Sequence, residues 1–278
     1  GVTGFDCSGV QEDNSTQTDS LTATISFYAE QARNNDDFVC EPHLGEGGQG
    51  PEVVTESDLE TEDNKEAAWL SGDWFFYNDS NDTIMAIDEF SGSGGENHMD
   101  SIAGSSGVKM LLHDGGARYN IATYRYNDVA LADIDTLEYR VYDASASSQT
   151  PFLNFNVDFV NDDSWQNRLV HVPGASGNDP VPANTWTTVD ALDGGDAMWT
   201  WSGYAGNSNK WPTQTGTSLP DETAQYQKWS DIIAAYPGAE TRSSDSWFGV
   251  RVGHPGPDGE TSYVDWIEFD NQVSDFEE

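Results

Sequence analysis

Residues 131–172, LADIDTLEYRVYDASASSQTPFLNFNVDFVNDDSWQNRLVHV, decide the fold class. Over 137–142, Leu137, Tyr139 and Val141 alternate with Glu138, Arg140 and Tyr142. Over 152–159, Leu153, Phe155, Val157 and Phe159 alternate with Asn154, Asn156 and Asp158. Over 165–172, Trp165, Leu169, Val170 and Val172 are mixed with Gln166, Asn167, Arg168 and His171. A period of two marks strands with one buried and one wet face. The breaks between the runs, DASASSQTP and NDD, have turn composition. The expectation is three consecutive strands in the middle of an antiparallel sheet, with His171 on its polar face.

The pattern extends in both directions. Before it come WFFYND and TIMAIDEF around a turn, a long loop SGSGGENHMDSIAGSSG, and strands over 108–113 and 119–126. After it come a strand TWTTVDAL and an irregular Gly/Ser/Trp-rich stretch over 194–220. One helix is then expected at about 222–236, with Asp221 as N-cap, a stripe of Tyr226, Trp229, Ile232, Ile233 and Tyr236, and Pro237-Gly238 to end it. The close, WFGVRVG, HPGPDGE and SYVDWIEFD, reads as a hairpin. Around ten strands with one packed helix predict an all-β, jelly-roll-like, two-sheet antiparallel sandwich over 69–278.

The first 68 residues differ. Residues 1–40 form an N-terminal arm in which Leu21, Ala23, Ile25, Phe27 and Ala29 share one face of a strand. Residues 41–68 are an acidic, Gly-rich connector, with capping-box spacing at Ser57 and Glu60 that allows a short helix.

Composition bounds the environment. With 49 Asp and Glu against 11 Lys and Arg, the net charge is −38, and the acids are spread along the chain. At low salt that charge repels itself; at 1 M salt the screening length falls to about 3 Å and the cost largely disappears. A high-salt source is expected, and nucleic acid is excluded as a partner, since phosphate requires the opposite sign. No run of 18 apolar residues is present to span a membrane. The chain begins at Gly1, which reads as a processed product. Cys7 and Cys40, the two cysteines, then favour a disulfide in an oxidising, extracellular compartment. Such a bridge contributes roughly 3–4 kcal/mol. Sequons at Asn14, Asn78 and Asn81 are candidate glycosylation sites, the last two in the loop-like NDSNDT.

Enzyme motifs are missing: there is no GxSxG, HExxH, P-loop, CxxC or Rossmann signature. His43, His98, His113, His171 and His254 lack ligand spacing, and acid pairs are too common here to mark a hydrolase. The chain is therefore expected to be no enzyme and to need no cofactor. Calcium is the one metal to weigh, at Asp79, Asn81 and Asp82 or at Asp162 and Asp163. Trp199, Trp201, Tyr204 and Trp211 cluster in the Gly/Ser-rich stretch, where exposed rings would stack on sugars and buried ones would pack the sandwich.

Two resemblances add to this reading. The pieces LADIDTLEYRVY, FLNFNVDF, WQNRLVHVP, MWTW, KWSDIIAAYPGAE and GVRVGHPGPDGETSYVDWIEF resemble a domain of secreted bacterial and archaeal proteins, which implies a jelly roll and carries no catalytic motif. The segment DNSTQTDSLTATISF resembles secreted haloarchaeal proteins of the TasA/camelysin-like type. That resemblance implies an exported subunit that polymerises by donating an N-terminal strand, here Leu21, Ala23, Ile25, Phe27 and Ala29, to the next copy. The expected function is thus a non-catalytic, cell-surface filament subunit; the alternative is a carbohydrate-binding module using the Trp cluster.

Overall fold

The chain divides at residue 49 into two units. The computed structural model describes residues 51–60, 72–79, 83–85, 95–112, 118–144, 150–213, 218–243, 246–253 and 261–277, all in the second unit. The donor strand at 21–29, the Cys7–Cys40 pair, Asn14, Asn81 and Asp82 lie outside the described residues.

Two sheets form a jelly-roll-like sandwich. The first holds β1 (Glu52–Val54), β5 (Gly95–Ile102), β6 (Ser105–Leu112), β8 (Leu137–Asp143), β11 (Thr187–Asp190), β16 (Thr261–Phe269) and β17 (Gln272–Phe276). The second holds β2 (Leu59–Glu60), β3 (Trp74–Asn78), β4 (Thr83–Met85), β7 (Tyr119–Thr123), β9 (Phe152–Asp158), β10 (Arg168–His171), β12 (Met198–Trp201), β13 (Tyr226–Lys228), β14 (Glu240–Thr241) and β15 (Phe248–Val252). Its main path runs β13-β12-β10-β9-β15-β7-β3-β2. The pairings are antiparallel except β1 with β17 and β2 with β3. Both parallel strands come from the expected connector, so the sandwich begins near residue 52.

Several sequence expectations are corrected by this topology. The three central strands do not share a sheet: β8 pairs with β16 and β11, whereas β9 and β10 pair with each other in the second sheet. The terminal hairpin is likewise a crossing, since β15 pairs with β7 and β9 and β16 with β6 and β8. Alternation specifies a face, and either sheet offers that face to the same core. The expected loop over 91–107 contains β5, zipped onto β6 through eight residue pairs around a turn at Ala103 and Gly104, both at positive φ. Pairing along a full strand overrides its loop-like composition. The helix is shorter than expected, α1 at Trp229–Ala235, with Lys228 at the N-cap position making no side-chain cap. Residues 226–228 are drawn into β13 by β12, and Asp221 instead accepts from the amide and hydroxyl of Thr223 in a turn. The capping box sits two residues earlier, at Thr55 and Asp58 of a single 3-10 turn.

The core between the sheets is rich in rings. Phe155 of β9 packs edge-on to Trp199 (5.5 Å), which meets Trp229 of α1 at 5.2 Å. Phe159 contacts Trp201, Trp211 and Tyr236. His171 belongs to this core and not to the expected polar face: it pairs with Leu153 and Trp199 and is 1% exposed. Burial pushes its pKa down to about 4, against a smaller opposing pull from Asp190, so the fold holds a neutral ring. The unfolded chain accepts that proton near pH 6.5, so between these values the unfolded state binds more protons and stability falls as pH falls. The expected loss from pH 6.5 to 4 is about 3 kcal/mol. Denaturant titration at molar KCl checks it: His171→Leu should flatten this part of the pH profile relative to the wild type. Equal slopes in the two chains would refute the assignment.

The outer face of the second sheet is the larger surprise. The outward residues of β3, β7 and β15 are buried as well as the inward ones. Phe75, Tyr77, Ala122, Tyr124 and Trp247 form a second, separate apolar cluster there. Asn120 and Asn154 are wholly buried on the same face, each donating from Nδ2 to a backbone carbonyl, of Tyr77 and Gly249 respectively. Gly249 lets β15 lie close against β7 here, because a Cβ there would lie 2.3 Å from the Ile121 carbonyl oxygen.

Candidate functional site

The four rings expected to face sugar are mostly core. Trp199, Trp201 and Trp211 are 0%, 7% and 1% exposed, and Tyr204 is half-buried. The stretch MWTW is a strand, β12, whose alternation turns both tryptophans inward while Met198 and Thr200 face out. Each ring's polar atom is already used. Trp199 Nε1 donates to the Ala191 carbonyl (2.8 Å), Trp201 Nε1 to Gln166 (2.6 Å), Trp211 Nε1 to Ala224 (2.9 Å), and the Tyr204 hydroxyl to Thr223. Stacking on a ligand would require these rings to leave the core.

Among the described residues, the exposed ring is Trp165, at 52%. The sequence pattern placed it in the third central strand; the structure places it in the loop that joins β9 to β10. Asp158, fully buried at the end of β9, builds that loop. Its carboxylate accepts from the backbone N–H groups of Val160 (3.0 Å), Asp162 (2.8 Å) and Asp163, and from Gln166 Nε2 (2.7 Å). Gln166 Oε1 accepts in turn from the Phe159 amide at 2.8 Å. Asn161, Asp163 and Asn167 adopt positive φ, residue types that tolerate it. One buried carboxylate thus fixes the loop that carries Trp165.

Two guanidiniums flank the ring: Cζ of Arg168 lies 5.7 Å from its centroid and Cζ of Arg242 lies 5.8 Å away. Arg168 also lies over Trp247, at 4.8 Å. From there it grips Asp79 with both Nη atoms, 2.8 Å each, while its Nε donates to Asn156 at 3.2 Å. Asp79 accepts a further bond from Arg251 Nη1 at 2.9 Å, and Arg251 lies over Phe152 at 5.5 Å. Asp79 directly follows β3 while Arg168 opens β10, four lanes away. On a flat sheet that is roughly 19 Å, more than the two side chains can bridge, so the sheet curls over its outer face. The result is a concave strip from Trp165 through Arg168 and Asp79 to Arg251.

Beside it lies an open depression of about 630 Å³, lined by Asn167, Trp201, Ser202, Gly203, Asn207 and Pro212 among others. The chain crosses the Trp201 indole at Gly203, where a Cβ would lie 2.3 Å from the ring. Asn167 and Arg168 connect the two features, the Arg168 amide donating to Ser202 Oγ at 3.0 Å.

The remaining candidates separate. Asn78, expected in a surface loop, is the last residue of β3 and 5% exposed. Asp79, a candidate calcium ligand, is held by two arginines instead. Asp162 accepts from the hydroxyl and the amide of Ser164 within its own turn, which holds its pKa below the usual range. Among the described residues no three His, Cys, Asp or Glu side chains converge on a metal site, and no helix is long and apolar enough to cross a membrane. The alternation pattern did not mark Trp165 as the exposed ring. The NDD turn before it, directly after the β9 pattern, was the available signal.

No family, no curated protein and no solved structure matches this chain.

Proposed function

We propose that this chain is a non-catalytic, extracellular glycan-binding β-sandwich whose site is the concave strip at Trp165 and the adjoining depression. The observation that carries the reading is Trp165 itself, the large aromatic ring more than half exposed among the described residues, on a loop fixed by Asp158. An apolar ring in water gains by covering its face, and a pyranose offers a flat C–H surface with polar edges. The polar side chains for those edges stand next to it: Asn167, Ser202 and Asn207 in the depression, Arg168 and Arg242 at the ring. A preformed loop also avoids the ordering cost that weakens flexible sites.

Assembly by strand donation is the weaker proposal. Its donor at 21–29 lies outside the described residues, and the chain itself supplies β1 to β17 and β2 to β3 at two sheet margins.

The test is binding of the full chain to a glycan array in molar KCl, followed by calorimetry on the best ligand. Trp165→Ala should weaken binding by about thirtyfold or more, the effect of removing a central tryptophan worth roughly 2 kcal/mol. Unchanged affinity in this variant would remove the site. If affinity were instead lost in Trp201→Ala with its fold intact, the rings buried here would have to open.

A further inference from the structure

Cations are scarce in this chain, and most of those described meet a carboxylate of their own. Lys109 pairs with Asp100, Arg125 with Glu52, Arg140 with Asp265, Lys210 with Glu222, Lys228 with Asp196 and Arg242 with Asp163. The concave strip reverses this ratio. Here one carboxylate, Asp79, serves both Arg168 and Arg251. A third arginine, Arg118, stands beside the pair: its carbonyl accepts from the Asp79 amide at 3.0 Å, it repels Arg251 electrostatically, and its side chain makes no hydrogen bond or ion pair among the described residues.

The group most affected is Arg251. Its side chain is 8% exposed; Nε donates to the Gly253 carbonyl at 3.2 Å and Nη1 to Asp79, which leaves Nη2 without a partner among the described residues. Burial first, and then repulsion from Arg168 and Arg118, bring its pKa down to about 10 despite Asp79. A buried charge without full compensation costs free energy. Nη2 is the open position at which an anion would complete it. A guanidinium fork is built to take the planar edge of a carboxylate or two oxygens of a sulfate.

We propose that Arg118, Arg168 and Arg251 form an anion subsite, and that the glycan stacked on Trp165 carries a uronate carboxylate or sulfate ester there. This assignment rests on the glycan-binding reading. It also explains why the strip uses arginine: a neutral sugar needs hydrogen-bond donors but no surplus charge. The chain's overall charge would repel a polyanion at low salt. At 1 M salt that repulsion is screened beyond about 3 Å, while contact between buried guanidiniums and an oxyanion persists.

Calorimetry in molar KCl on matched probes tests it: a uronic acid oligomer with its carboxyl-reduced counterpart, and a sulfated galactan with its desulfated counterpart. The acidic member of at least one pair is expected to bind about tenfold tighter or better, which is one charge-assisted contact. Arg118→Gln should erase that preference and leave neutral affinity unchanged. Equal affinity for both members of both pairs, or a preference that survives Arg118→Gln, overturns the subsite while leaving the glycan reading intact. A preference for one pair over the other identifies the oxyanion as carboxylate or sulfate.

An independent measurement separates the two failures. Sodium sulfate, exchanged for chloride at constant ionic strength, stabilises proteins generally. Sulfate bound at this site should raise the melting temperature more in the wild type than in Arg118→Gln. A differential shift without any glycan binding would keep the anion site and sink the glycan reading. No differential shift together with no acidic preference would sink the subsite.

Discussion

Trp199→Ala is expected to cost about 3–5 kcal/mol, and Trp165→Ala less than about 0.5 kcal/mol. Both are tryptophans in the same polar, turn-rich half of the chain, so composition alone assigns them equal weight. Their surroundings differ completely. Trp199 is fully buried, meets Phe155, His171 and Trp229 at 5.2–5.5 Å, and donates its indole N–H to the Ala191 carbonyl. Its removal would leave a cavity between β9, β10 and α1 and strand a buried carbonyl. Trp165 gives up about half its surface to solvent in the folded state and would leave no cavity. Urea unfolding in molar KCl measures both. A domain of this kind has about 5–15 kcal/mol to lose, so Trp199→Ala should sit near the edge of folding while Trp165→Ala unfolds like the wild type. Comparable losses in the two variants would mean that the 159–167 loop is part of the core, and the binding site would lose its platform.

That contrast marks where the sequence was legible. Strict alternation over 137–142 and 152–159 identified strands correctly, because their inward residues, Leu137, Tyr139, Val141, Leu153, Phe155 and Val157, are all buried in one core. It could not show which sheet each strand joins, since both sheets feed that core. It also misread the second face. Asn154, Asn156 and Asp158 look like a wet edge in the sequence, yet all are at most 2% exposed. Two different partnerships hide them: an aromatic layer with arginines over the first two, and three backbone amides around Asp158. The first partnership brings together residues far apart in the chain, Asp79 with Arg168 or Arg251, and no local pattern contains it. The second is local, Asp158 with the amides of the turn that follows it, but alternation alone reads that carboxylate as solvated. The Trp cluster failed for a related reason. Gly and Ser around Trp199, Trp201 and Trp211 resemble an open loop, but Gly203 is small because the chain crosses a buried indole there.

Stability is expected to rise steeply with KCl, with most of the gain complete by about 1 M, where the screening length has fallen from ~10 Å to ~3 Å. The structure gives the effect a location. Asp190 of β11, Glu138 of β8 and Glu268 of β16 lie directly opposite one another, three acids in one row across adjacent strands. Like charges so placed destabilise a sheet. Burial, and then repulsion by Asp190 and Glu268, raise the Glu138 pKa. Glu240 shows the same pattern, raised by burial and by Asp128, Asp158 and Asp163. With 49 acids against 11 bases, most such rows have no cation to relieve them, so counterions must. Glu138→Lys puts a cation between two carboxylates and should raise the melting temperature at 0.1 M KCl. That advantage should shrink as salt approaches the molar range, because salt already supplies what the lysine adds. A wild-type melting temperature indifferent to KCl would refute the general claim. A Glu138→Lys gain that stays constant from 0.1 to 3 M would show instead that packing, and not screened repulsion, governs this row.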